Sequence, residues 1–314
     1  MSRLRTLAVE VVAPILVFIG LYIAGTLALG GLLASVFEGG GDQRRMVVFA
    51  WATLGAAAVA NLACVALFDR FRLHLGIVEP PSGILGGFAK GALVAIGLLT
   101  AANALILATT EFRHAPGGGV DWFEIFAIFV PAAIHEELVF RGYLLQKPAK
   151  LNLALSVAFT SLLFALVHGG NPAVGKIALA NIFLAGVLLA LAWVWRRNLW
   201  IPIGLHITWN VFSGPVLGHE VSGLVLPKTL LRTVDPGPDL LTGGAFGIEA
   251  SIFLTLAELG AIAFVSWRIM SRGALSQAPS LEVALAIETP ANASETAPLP
   301  AGSTEPTSLN ETET

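Results

Sequence analysis

Three charged side chains and an imidazole occur together at residues 135–141, within a stretch that otherwise has the apolar character of a membrane-spanning helix. A charged side chain near the bilayer centre costs roughly 2.5–3.5 kcal/mol on insertion scales. Glu136, Glu137 and Arg141 are therefore expected to face the interior of a helical bundle. Glu137 and Arg141 are i,i+4 neighbours that can form an ion pair. Glu136 points about 100° away on the same helix, so it is available for a different role.

Two later apolar stretches carry polar residues at helical spacing. Phe164 precedes His168 by four residues, and His168 is followed by Gly169-Gly170-Asn171-Pro172, a sequence that predicts the end of a helix. In the next constellation, His206 and Asn210 lie one helical turn apart and can present hydrogen-bond donors to the same point. A single intramembrane His or Asn is commonly an interhelical packing residue. Three such constellations in one chain indicate a reactive site.

These residue types are suited to hydrolysis of a carbonyl compound. A carboxylate and an imidazole can together remove a proton from water and direct the water at a carbonyl carbon, and Glu136 with His168 could do this. The tetrahedral intermediate carries a negative oxygen that needs preorganised donors, for which His206 and Asn210 are candidates. This chemistry requires no cofactor.

Zinc is the second choice. Glu136, His168 and His206 are ligand types that Zn²⁺ accepts. The usual helical zinc-protease pattern would require a second His three residues after Glu136, and that position is Val139. Other buried polar residues are expected to serve helix packing or to lie near the membrane interfaces: Glu10, Asn181, Glu249 and Glu258.

The composition predicts that these residues are held by membrane helices. Hydrophobic residues make up 55% of the chain and charged residues 12%, with a mean hydropathy of +0.78, whereas soluble domains carry about 25% charged residues. The chain is therefore expected to be an all-α polytopic membrane protein with a catalytic helical bundle and about eight transmembrane helices. Apolar runs of the length that crosses a bilayer lie near 7–36, 46–68, 83–109, 122–146, 152–168, 177–195, 199–217 and 248–271.

The charge distribution predicts orientation and partners. Basic residues flanking the spans favour two cytoplasmic termini, in a protein of the plasma (inner) membrane. Residues 273–314 are rich in Ala, Pro, Ser, Thr and Glu, lack basic residues, and are predicted to form a disordered acidic tail. No basic footprint for nucleic acid is present. The expected partners are the lipid bilayer and a peptide or lipidated protein substrate.

The three constellations resemble the motifs of the CPBP family of intramembrane glutamic endopeptidases, which includes CAAX prenyl proteases and abortive-infection and bacteriocin-processing relatives. Those motifs are Glu-Glu-x-x-x-Arg, Phe-x-x-x-His and His-x-x-x-Asn, in this order. The matching positions here are Glu136, Glu137, Arg141, Phe164, His168, His206 and Asn210.

The resemblance covers about residues 120–217 and implies a role for each matched position. It implies that Glu136 and His168 activate the water and that His206 and Asn210 form the oxyanion site. The other three would brace, tune or line the cavity: Glu137, Arg141 and Phe164. The implied substrate is membrane-associated and, where the host prenylates proteins, of the prenylated CAAX type.

The expected organisation follows from the extent of the resemblance. The protease core at 120–217 follows N-terminal transmembrane helices within 1–110, and a loop at 218–247 and a last transmembrane helix at 248–271 follow the core. Besides the zinc protease, two alternatives have other functions. A transporter would show two related halves, and none are found. A noncatalytic bacteriocin-immunity or scaffold protein would keep the bundle without needing every polar residue.

Overall fold

The computed structural model describes residues 7–36 and 41–271 and is built almost entirely of helices. Long runs rich in Leu, Ala, Val and Ile form the first three helices. These are α1 (Ala8–Val36), α2 (Asp42–Asp69) and α3 (Pro81–Thr109). Pro81 occupies the start of α3, where the missing N–H leaves no helical hydrogen bond unmade. Arg70 ends α2 in the left-handed conformation.

The fourth helical stretch, α4 (122–149), is interrupted. It contains π-helical turns at Ile125–Phe129 and Leu138–Tyr143, with the regular helix Val130–Glu137 between them. Gly142 leaves the helical conformation. Asn61 of α2 compensates, since its Nδ2 donates to the Leu138 carbonyl at 2.9 Å and its Oδ1 accepts from the Tyr143 N–H at 2.8 Å. A side chain from α2 therefore satisfies backbone groups that the irregular turn frees.

The remaining long helices are α5 (Leu153–Val167), α6 (Lys176–Arg196), α7 (Trp200–Val211) and α8 (Ile252–Met270). A 3₁₀ turn at His168–Gly170 follows α5, and a π-helical turn at Phe212–Val216 follows α7. The main packing pairs are α1 with α2, α3 with α7, α5 with α6, and α6 with α8. Gly204 permits the close approach of α7 to α3, because a Cβ there would collide with the Phe88 backbone.

Six of the described helical segments are long and apolar enough to cross a membrane: α1, α2, α3, α6, α8, and α5 taken together with its 3₁₀ turn (Leu153–Gly170). The predicted all-α polytopic membrane fold is confirmed. The two other predicted spans, near 122–146 and 199–217, are helical but divided into shorter segments. The count of eight transmembrane helices therefore stays a prediction. The predicted tail at 273–314 lies outside the described residues.

The segment predicted as a loop at 218–247 contains structure that the sequence did not indicate. Strand β2 (Leu231–Val234) pairs antiparallel with strand β1 (Arg113–Pro116), and Asp239–Thr242 forms a helical turn. His219 fastens the same region to α3, because its Nε2 lies 2.9 Å from Oδ1 of Asn103. Residues 217–250 therefore contain regular structure and contact α3.

Candidate active site

The structure brings five of the seven motif residues to one cavity of about 380 Å³: Glu136, Phe164, His168, His206 and Asn210. Its walls come from α2, α4, α5, α6, α7, the loop around Ser222 and the turn at Ile248–Ala250. The other two motif residues, Glu137 and Arg141, lie behind this surface and contact the residues that line it.

Arg141 and Glu137 form a buried ion pair on α4, with their side chains 1% and 0% exposed. Nη1 of Arg141 donates to Oε1 of Glu137 at 3.1 Å, and Nη2 donates to the Gly186 carbonyl of α6 at 3.1 Å. The guanidinium carbon also lies 4.4 Å from the centre of the Phe164 ring, a cation–π contact. Arg141 therefore ties three helices together at one point.

Glu137 also orients His206. The same Oε1 that accepts from Arg141 accepts from Nδ1–H of His206 at 2.8 Å. The other ring nitrogen, Nε2, lies 3.7 Å from Oε2 of Glu136. A carboxylate on one ring nitrogen fixes the rotation of an imidazole and keeps a proton on that nitrogen. Nε2 of His206 is thereby held towards Glu136.

His168 approaches Glu136 from the end of α5. Its Nδ1–H donates to the Phe164 carbonyl one turn earlier at 2.7 Å, and its ring lies 4.7 Å from that of Phe164. Nε2 of His168 is 3.9 Å from Oε2 of Glu136, too long for a direct hydrogen bond. Among the described residues, Oε2 of Glu136 has no hydrogen-bond partner. A bound water could bridge a gap of this size.

Asn210 lines the same cavity one turn after His206. Its neighbour Trp209 is fixed by Glu249, whose Oε1 accepts from the indole N–H at 2.9 Å. Sequence reasoning assigned Glu249 to helix packing or the interfaces, yet Glu249 lies in the cavity wall with Ser222. The sequence around Glu249 shows only a carboxylate near an apolar span, and this does not indicate whether the side chain reaches the cavity.

His135 is adjacent to Glu136 in sequence but is not part of the cavity lining. Its Nδ1–H donates to the Ala132 carbonyl at 3.0 Å, and its Nε2 accepts from the Tyr22 hydroxyl of α1 at 2.9 Å. The Tyr22 and His135 rings are also stacked. This contact joins α1 to the helix that carries Glu136.

The zinc alternative has suitable donor types but a wide arrangement. Zinc ligands lie about 2.0–2.2 Å from the metal, so tetrahedral ligand atoms are separated by about 3.4 Å. The separations of Glu136 Oε2 from His206 Nε2 and His168 Nε2 are 3.7 and 3.9 Å. Within 7–36 and 41–271, no group of three or more His, Cys, Asp or Glu side chains is placed to hold a metal ion.

Comparison with known protein families gives a match to the part of the chain that contains the three motifs. Residues 118–212 match the family model described as "Type II CAAX prenyl endopeptidase Rce1-like". The match contains all three motifs and spans less than a third of the 314-residue chain. No curated protein matches the chain. The predicted resemblance to the CPBP family is confirmed, because residues 118–212 are similar to the Rce1-like family of type II CAAX prenyl endopeptidases.

Proposed function

We propose that this protein is an intramembrane endopeptidase in which Glu136 and His168 activate a water molecule without a metal. The Rce1-like domain indicates a peptidase, and the apolar helices indicate an integral multi-pass membrane protein. One observation carries the mechanism. Oε2 of Glu136 lacks a hydrogen-bond partner among the described residues and faces two imidazole Nε2 atoms across 3.7 and 3.9 Å.

In the proposed reaction, a water lies between Glu136 and His168. Nδ1–H of His168 is committed to the Phe164 carbonyl, so Nε2 of the neutral ring accepts a hydrogen bond and orients the water. Glu136 removes one proton as the water oxygen attacks the scissile carbonyl carbon. The carbon–nitrogen bond then breaks, and the proton held by Glu136 passes to the departing amine.

The proposed oxyanion site consists of His206 and Asn210. With a proton on each ring nitrogen, His206 donates through Nδ1 to Glu137 and presents Nε2–H to the cavity. The side-chain amide of Asn210 supplies a second donor. The Glu137–Arg141 pair supports the site by fixing the imidazole, so little reorganisation is needed when negative charge develops on the substrate oxygen.

The cavity lining supports an apolar substrate. Apart from the polar motif residues and Asn171, Ser222 and Glu249, the wall is formed by aliphatic and aromatic side chains that include Phe49, Ile128, Ile182, Leu188 and Leu205. Such a surface accepts apolar peptide side chains or a lipid group. We therefore propose a membrane-associated peptide substrate, of the prenylated CAAX type where the host prenylates proteins. The proposed location is the plasma membrane, with both termini cytoplasmic.

The test is cleavage of a fluorogenic peptide panel, prenylated and unprenylated, by purified protein with and without a strong chelator. Wild type should cleave in the presence of chelator, and the isosteric Glu136→Gln variant should be inactive. Asn210→Ala should lose on the order of 10²–10³ in turnover, the usual effect of removing one oxyanion donor. Glu111→Gln is the matched control, because it makes the same change at an exposed carboxylate outside the cavity.

Three other outcomes of this assay would argue against the proposed function or its mechanism. Loss of activity with chelator and its recovery with zinc would favour the metalloprotease. Normal cleavage by Glu136→Gln would refute the proposed mechanism. A folded wild type that cleaves no peptide would favour the immunity or scaffold function.

A further inference from the structure

Glu249 lies outside the Rce1-like domain but in the wall of its cavity. Its residue surface is 8% exposed, and both carboxylate oxygens have partners. Oε1 accepts from the Trp209 indole N–H at 2.9 Å, while Oε2 accepts from the Ser222 backbone N–H at 2.6 Å and from the Ser222 hydroxyl at 2.8 Å. One carboxylate therefore joins α7 to the loop around Ser222, which lines the cavity.

The backbone around Glu249 is itself fixed. The Asn181 side chain of α6 donates to the carbonyls of Glu249 and Ser251 at 2.9 and 3.0 Å. Thr255 of α8 donates to Oδ1 of Asn181 at 2.7 Å. A buried carboxylate is favourable only when its acceptors are satisfied. Here Asn181 of α6, itself bonded to Thr255 of α8, holds the backbone of Glu249. The position of the carboxylate is therefore set by α6 and α8 rather than by the loop around Ser222.

Ser222 adopts a conformation that a serine rarely takes. Its φ is +50°, in the left-handed region, which carries a conformational cost for a residue other than Gly, Asn or Asp. Three hydrogen bonds oppose that cost, since Glu249 accepts from its N–H and its hydroxyl, and Asn171 donates to its carbonyl at 3.2 Å. Asn171 and Ser222 both line the cavity. The loop is thus held against the site by polar contacts.

We propose that Glu249 is a positioning residue for the hydrolytic reaction, acting on α7 through Trp209 and on the substrate-facing loop through Ser222. This inference rests on the proposed function. Trp209 immediately precedes the proposed oxyanion donor Asn210 on α7, so a displacement of the helix backbone at Trp209 moves that donor. Among the described residues, Ser222 is hydrogen-bonded to Glu249 and Asn171 and lines the cavity, so its displacement alters the wall against which a substrate lies.

The two connections should separate in the kinetics. Trp209→Phe removes the indole donor and keeps an aromatic ring, so it should lower kcat by about tenfold to a hundredfold, the scale of a small misplacement at a reacting centre. Ser222→Ala removes the hydroxyl donor and should mainly raise KM. Glu249→Gln replaces one acceptor oxygen with an amide NH₂ and should change both parameters.

Trp200→Phe provides the matched control. Trp200 lies on the same helix as Trp209, and its indole also donates to an oxygen of another segment, the Ile77 carbonyl at 2.9 Å. It does not line the catalytic cavity. Equal losses in Trp200→Phe and Trp209→Phe would indicate general loss of helix packing and would overturn the inference.

The experiment combines steady-state kinetics on full-length protein with indole NMR of ¹⁵N-tryptophan-labelled samples. The Trp209 signal, assigned from its disappearance in Trp209→Phe, should shift in Glu249→Gln while the Trp200 signal stays in place. Wild-type kinetics in Glu249→Gln, with Glu136→Gln inactive, would overturn the inference and leave the proposed function intact. Inactive folded wild type would overturn both. If Glu249→Gln does not fold, Trp209→Phe and Ser222→Ala decide the matter through the predicted kcat and KM effects.

Discussion

Removal of Arg141 should destabilise the protein more than removal of any exposed cation. In Arg141→Met, Glu137 keeps the donor from His206 but loses the guanidinium 3.1 Å away, although its side chain is completely buried. The Gly186 carbonyl and the Phe164 ring also lose a partner. Breaking a buried ion pair in this way costs about 3–5 kcal/mol. The lost contacts with Gly186 and Phe164 are not added to this range, because the effects of losing contacts between neighbouring residues are not additive.

Reversible unfolding in mixed detergent micelles, followed by circular dichroism, would measure the free-energy difference. Lys150→Met is the matched control, since Lys150 also bonds a buried carboxylate, Asp69, at 3.0 Å but is 46% exposed. Its removal should cost about 0–1 kcal/mol, because Lys147 still pairs with Asp69. The double variant Glu137→Gln/Arg141→Met should recover part of the lost stability. Equal stability of Arg141→Met and wild type would refute the assignment of a charged pair.

Two further predictions concern buried titratable groups that the proposed reaction does not use. Burial, together with the neighbouring His114, lowers the pKa of His219 from 6.5 to about 3. Below pH 6.5 an unfolded chain binds a proton there that the folded protein does not, so stability should fall progressively towards pH 3. His219→Gln should flatten this dependence in acid-unfolding curves; an unchanged curve would contradict it. Glu258 is fully buried in α8, and neither oxygen has a hydrogen-bond partner within the described residues. Glu258→Met should therefore raise stability to unfolding by about 1–3 kcal/mol, and a decrease would show that its carboxyl has a favourable contact.

Local spacing was enough to anticipate the contacts between residues one helical turn apart. The four-residue separation of Glu137 and Arg141 places them on one helical face, and the structure pairs them. The Gly-Gly-Asn-Pro sequence predicted a helix end after His168, where α5 gives way to a 3₁₀ turn. Both features depend on one segment of chain, so its sequence contains the necessary information.

Contacts between distant segments could not be anticipated in the same way. The hydrogen bond of His206 to Glu137 joins residues 69 positions apart, and periodicity within a helix does not say which neighbour faces it. The wall formed by Glu249 and Ser222 depends on a loop whose path was not predicted. Strands β1 and β2 each contain four residues, too few for the alternation by which a strand is recognised.

The irregular turn at Leu138–Tyr143 has a consequence for how the protein is made. Its backbone is completed by Asn61, which the ribosome adds 82 residues before Tyr143. Non-helical backbone is tolerated at membrane depth only where protein or water satisfies it. The segment bearing the two glutamates and Arg141 therefore reaches its final shape only beside α2. During biogenesis, this segment is therefore expected to fold only after α2 is in place beside it.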